Sequence, residues 1–135
     1  MEATEGLSKE QLARFGRLLA ERKVRLQGEV RAVLEREGAS ERYDQLVSPA
    51  GDAGDASVAV NIRDIANAEV DRDIRELRDI AAAEERMAHG GYGYCIECGV
   101  FIGVPRLEAY PTAKRCIEHQ RLREKTRASS PHSTL

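Results

Sequence analysis

The sequence predicts a mostly α-helical protein: a long antiparallel coiled-coil hairpin with a small globular end and a C-terminal helix. Three observations predict it. Two long apolar stripes recur at helical spacing, a stretch rich in Gly, Ala, Ser and Asp separates them, and a tight cluster of cysteines follows the second stripe. Charged residues make up 33% of the 135 and aromatics 4%, with no Trp, so few bulky groups are available for a globular interior and much of the chain must be exposed helix surface.

The first helix starts at Ser8, whose hydroxyl can cap the backbone while Gln11 reaches back; Leu7 is placed to pack on Leu12. Leu12, Phe15, Leu19, Leu26, Val30 and Val33 then form one stripe, and Gly38 offers a stop. That is about 30 residues, or roughly 45 Å of helix. Residues 38–56 have the composition of a connecting loop, with Pro49 inside it. A second helix is expected from about Asp55, a suitable N-cap, with Val58, Ile62, Ile65, Val70, Ile74, Leu77, Ile80 and Met87 on its buried side and its end near Gly90 and Gly91. Neither narrow stripe can be buried alone, so the two helices are expected to pair as a hairpin. Charge favours the pairing: residues 8–37 carry net +3 and residues 57–88 net −3. The same stripes would also serve a small bundle core or a dimer interface.

The resulting organisation is an N-terminal segment 1–7, a hairpin 8–88 with its tip near 38–57, a module with a C-terminal helix over 89–125, and a tail 126–135 expected to be disordered. The formal net charge of −2 argues against attachment to nucleic acid or an anionic membrane mainly by counterion release. No apolar run approaches the roughly 20 residues of a membrane span, and the first residues lack the basic and apolar regions of a secretory signal, so the chain reads as cytoplasmic.

The chemistry lies in YCIECGVFIGVPRLEAYPTAKRCIEHQ, which contains Cys95-x2-Cys98, a 17-residue spacer and Cys116-x2-His119. Each short pair suits a tight turn aiming two ligands at one ion, and the spacer is long enough for a small hairpin that brings the pairs together. A redox Cys95–Cys98 pair is the alternative. It should stand beside a βαβ pattern, which the chain lacks, and it leaves Cys116 and His119 unexplained. Four protein ligands close a zinc shell, and no H-x-E precedes the C-x-x-C as in zinc deaminases, so one structural zinc and no enzyme activity are expected. Residues 90–120 offer few strong apolar groups, and a module this small needs such a staple.

These residues resemble the zinc finger of the DksA/TraR family of bacterial transcription regulators. Gly93, Tyr94, Cys95, Cys98, Gly99, Ile102, Arg106 to Ala109, Pro111, Ala113 and Cys116 fall where that pattern places them, and DAGDAS at 52–57 resembles the family's D-x-x-D-x-A tip motif. The resemblance implies a regulator that inserts its coiled coil into the secondary channel of RNA polymerase, does not bind DNA, and brings Asp52, Asp55 and Ser57 near the polymerase catalytic centre to alter promoter-complex stability. Three departures stand out. His119 replaces the usual fourth Cys, which keeps zinc binding but makes it more sensitive to acid. Ser57 replaces Ala. Asp79, Tyr110 and Gln120 stand where the best-known members use basic residues to hold guanosine tetraphosphate, so a response to that nucleotide is doubtful unless Arg72, Arg78 and Arg115 compensate. Two competing readings are a zinc-dependent protein-interaction or nucleic-acid-binding module using the basic segment from Arg121 to Arg127, and a thiol oxidoreductase. The neutral 90–120 segment lacks the basic face that a nucleic-acid ribbon requires.

Overall fold

The structure, a computed structural model, describes residues 6–47 and 68–128. Asp52, Asp55 and Ser57, with the stripe positions Val58, Ile62 and Ile65, lie outside the described residues, as does the start near Asp55 expected for the second long helix.

Helix α1 spans Lys9–Arg36. Its start is a capping box: Gln11 N donates to Ser8 Oγ at 3.0 Å, and Ser8 N donates to Gln11 Oε1 at 2.9 Å, so two amides without helical partners satisfy each other's side chains. Its end is a Schellman turn, in which Ala39 N reaches Leu34 O at 2.8 Å because Gly38 takes φ 69°. The buried stripe is Phe15, Leu19, Leu26, Val30 and Leu34, while Val33 is only partly covered. Leu34 displaces Val33 because the chain turns there and packs back onto that face.

What packs back is a correction to the sequence reading. Residues 40–47 belong to no open loop; they form a 3-10 turn at Ser40–Arg42 and a short helix α2 at Tyr43–Val47. Tyr43 and Leu46 are buried there, and Val47 packs against the core. Their spacing of three and four residues puts them on one face, and covering Leu46 alone is worth about 1.5–3 kcal/mol, enough to overcome weak local propensity.

Helix α3 spans Ala68–Ala88, burying Val70, Ile74, Leu77, Ile80 and Ala83. It runs antiparallel to α1. Gly16 lies opposite Met87, while toward the other end Glu29 and Asp73 line one cavity. The charge asymmetry between the helices becomes contact: Arg22 Nη2 donates to Glu76 at 2.8 Å and Lys23 Nζ to Glu84 at 3.0 Å. A second Schellman turn closes α3, Gly91 N bonding Arg86 O at 2.8 Å with Gly90 at φ 81°.

The module after Gly90 contains an isolated antiparallel bridge, Tyr94 to Phe101, then helix α4 at Val104–Ala109 and helix α5 at Ile117–Ala128. α5 therefore runs three residues past 125, into the expected tail. Its Glu, Lys and Arg residues are good helix formers, and Gln120 Nε2 donates to Glu124 one turn on at 2.8 Å. The module is docked on the open end of the hairpin. Leu107 of α4 is fully buried in the same core as Phe15 and Tyr92. Tyr92 Oη donates to Pro111 O at 2.7 Å, and Arg14 reaches Glu108 at 2.8 Å. Among the described residues no helix is long and apolar enough to cross a membrane.

Candidate metal centre

Two turns carry the four expected ligands. In the first, Cys95 N donates to Val100 O at 2.8 Å and Gly99 N to Cys95 O at 2.9 Å; Gly99 takes φ 78°, a conformation costly to other residues. In the second, Cys116 lies just before α5, and Gln120 N donates to its carbonyl at 2.8 Å, so the first turn of that helix fixes His119. A backbone bond from Ile96 N to Lys114 O, 2.9 Å, ties the turns together.

The ligand atoms converge. Cys95 Sγ, Cys98 Sγ, Cys116 Sγ and His119 Nδ1 all lie within 4.8 Å of one another. Zinc with sulfur at about 2.3 Å and nitrogen at 2.0–2.1 Å sets tetrahedral edges near 3.6–3.8 Å. The distances are 3.8 Å from Cys95 Sγ to His119 Nδ1, 4.0 Å between Cys98 and Cys116 sulfurs, and 3.2 Å from Cys116 Sγ to His119 Nδ1. Three soft thiolates and one imidazole in that arrangement fit zinc and leave no coordination position open.

The surroundings favour the thiolate at Cys95 and Cys116 but not at Cys98. Burial pushes Cys95 up, but hydrogen bonds from the backbone of Cys116, Cys98 and Glu97 outweigh it and bring the thiol down to about 6. The backbone N–H and then the ring of His119 lower Cys116. At Cys98 the Val100 amide pulls downward, yet desolvation and the neighbouring sulfurs of Cys95 and Cys116 leave the thiol raised. Crowded sulfur of this kind is the environment a cation relieves.

A family model described as the prokaryotic dksA/traR C4-type zinc finger matches residues 90–125. Over 121 residues the chain is 31% identical to the RNA polymerase-binding transcription factor DksA of Escherichia coli strain K12, covering 89% of this chain and 76% of that protein. The chain belongs to the DksA/TraR family. The Caulobacter vibrioides protein of the same description is 34% identical over 86 residues, covering 64% of this chain and 56% of its own. Among solved structures, transcription factor DksA2 from Pseudomonas aeruginosa matches with a TM-score of 0.61 and 30% identity, over 89% of this chain and 88% of that one. The fold is thus the helical DksA fold, and its cofactor is one structural zinc, in a finger whose four-cysteine pattern is here three cysteines and His119.

Asp79, Tyr110 and Gln120 line a single groove of about 560 Å³ between α3 and the module, together with Lys114, Arg121 and Arg123. Desolvation raises the Asp79 carboxyl above its ordinary value, against the pull of Lys114. Of the three arginines considered as substitutes, Arg115 lines this groove, whereas Arg72 lines another of about 730 Å³ between the helices and Arg78 is among the lining residues of neither. Arg115 is itself engaged, since its Nε donates to Glu97 at 3.0 Å. The sequence alone does not pair them: its only signal is a glutamate inside the first ligand pair and an arginine just before the second.

Proposed function

We propose that this protein is a non-enzymatic, cytoplasmic regulator that binds bacterial RNA polymerase through its secondary channel and alters promoter-complex stability without binding DNA. The observation that carries the reading is the shared hairpin and zinc module, aligned over 89% of this chain with proteins described as RNA polymerase-binding transcription factors. A hairpin about two helices wide is narrow enough to serve as a probe, and the zinc module fixes its base. Asp52, Asp55 and Ser57 would be the acting group at the tip, the carboxylates engaging basic side chains or polar contacts around a bound magnesium. The test is binding of the purified protein to core RNA polymerase and its displacement by another secondary-channel factor; retention on DNA alone would refute the proposal. Asp55→Asn, and to a smaller degree Asp52→Asn, should abolish the transcriptional effect with polymerase affinity nearly unchanged. A loss of about 1 kcal/mol in thermal stability with no loss of effect would instead make Asp55 a helix cap.

A weak or absent response to guanosine tetraphosphate is part of the same proposal. Asp79 repels its phosphates, Arg115 is paired with Glu97, and Arg106 Nε donates to the Arg115 carbonyl at 3.2 Å. Lys114, Arg121 and Arg123, with Arg106 held by that carbonyl, are the cations left in the groove. Transcription from a ribosomal-type promoter, using a polymerase lacking its separate nucleotide site, measures this: synergy between protein and nucleotide would overturn it.

A further inference from the structure

We infer that Arg115 and Glu97 form a latch that locks the two ligand turns together and slows the release of zinc. Glu97 sits between Cys95 and Cys98, and Arg115 immediately precedes Cys116, so their ion pair at 3.0 Å spans the centre from one turn to the other. Arg115 is 7% exposed, the single buried charged residue among those described. A guanidinium taken out of water is strongly unfavourable without a partner, and Glu97 is the carboxylate that reaches it.

The latch fixes Cys116 from two directions. The Arg115 carbonyl accepts from Arg106 Nε of α4 at 3.2 Å, while the Arg115 side chain reaches across to the first turn. The backbone bond from Ile96 to Lys114 runs alongside, so breaking the ion pair removes one of the links between the turns. Charge adds a second reason. Three thiolates and a neutral imidazole around a divalent zinc leave the centre with a net charge of about −1. Glu97 alone would place another anion between the two ligands of the first turn; Arg115 cancels that charge. The guanidinium therefore positions ligands and balances charge without touching the metal.

Partners that orient metal ligands commonly contribute about 10–100-fold in metal affinity. The experiment follows zinc transfer from the native full-length protein to a chromogenic chelator, for the parent chain, Glu97→Gln, Arg115→Gln and the double variant, with thermal unfolding in parallel. Each single substitution should speed release about tenfold, and the double should be no faster than the faster single, because either change opens the same latch. Arg115→Lys, which keeps the charge with fewer fixed donors, should fall between. Release from Glu97→Gln within twofold of the parent would overturn the inference, as would single effects that multiply in the double variant. Glu97 is 44% exposed at its side chain, so Glu97→Gln decides the matter even if Arg115→Gln does not fold. A parent chain that purifies without zinc would refute the metal centre itself, a different failure.

Discussion

The hairpin and the zinc module solve the same problem by different means. In the hairpin, α1 and α3 each bury five residues along one face, and covering apolar surface suffices to hold them. In the module, Leu107 is fully buried while Ile96 and Val100 are 52% and 56% exposed, so apolar surface is spent outward. What organises the module is polar: four ligands, one ion pair with a buried arginine, and a network of backbone bonds. The two regions should therefore fail under different insults, and a residue shared by both should reveal how far they are coupled.

The largest separation should come from removing zinc. A chelator should abolish amide-exchange protection over 90–120 while most of the helical circular dichroism survives, since structural zinc in small fingers contributes about 10–16 kcal/mol to folding. Simultaneous melting of α1 and α3 would show that the regions fold as one. Next in size, Leu107→Ala and Leu34→Ala should each cost about 2–5 kcal/mol by thermal unfolding, because both side chains are fully buried. Only Leu107→Ala should also accelerate zinc transfer to a chelator; equal acceleration by Leu34→Ala would erase the distinction between the regions.

A smaller effect tests the seam. Burial raises Tyr92 to about 12, against the pull of Arg86. A folded value above the ordinary one near 10 means the neutral phenol stabilises fully below that value and the contribution is lost as pH rises through 12, by about 1–2 kcal/mol after solvent screening. Denaturant titrations should show that loss in the parent and not in Tyr92→Phe. The smallest lies within the hairpin. Desolvation, then the hydrogen bond and charge of Glu29, raise the Asp73 carboxyl. Its ionised form is thus disfavoured in the folded chain, so Asp73→Asn should stabilise the hairpin at neutral pH by about 0.3 kcal/mol. The gain should vanish as pH falls below about 4, where the parent carboxyl is already neutral. A gain that persists in acid would point to packing instead.

Long regular features were legible in the sequence for a simple reason: a stripe repeated over several turns is a redundant signal. Ser8 and Gln11 announced the start of α1, Gly38 and Gly90 its and α3's ends, and the two ligand pairs announced a metal centre by spacing alone. Short features were not. Tyr43, Leu46 and Val47 lie in a Gly- and Ser-rich stretch whose composition hides a single helical turn, and its helicity depends on a core contributed by other segments. Pro105, at the start of α4, is a permitted helix opener, but one proline inside a 17-residue spacer does not distinguish a six-residue helix from a plain hairpin. The pairing of Arg115 with Glu97 needs the two turns face to face, and nothing local specifies that. Asp79, Tyr110 and Gln120 could be named individually, but only the fold places them in one groove with five lysine or arginine neighbours.

The ion pair between Arg14 and Glu108 joins residues 94 positions apart, and Phe15 meets Tyr92 across a shorter but still long interval. On a ribosome making about 5–20 residues per second, the first helix emerges roughly 5–20 s before the groups that cover its base exist. For that time the apolar face at the base of α1 has only itself and the solvent, whereas its far end is covered much sooner by Tyr43 and Leu46 of α2. A chain built this way presents a naked amphipathic helix to the cell at every round of translation. Its yield should depend on whatever shelters that helix while the residues after it are being made.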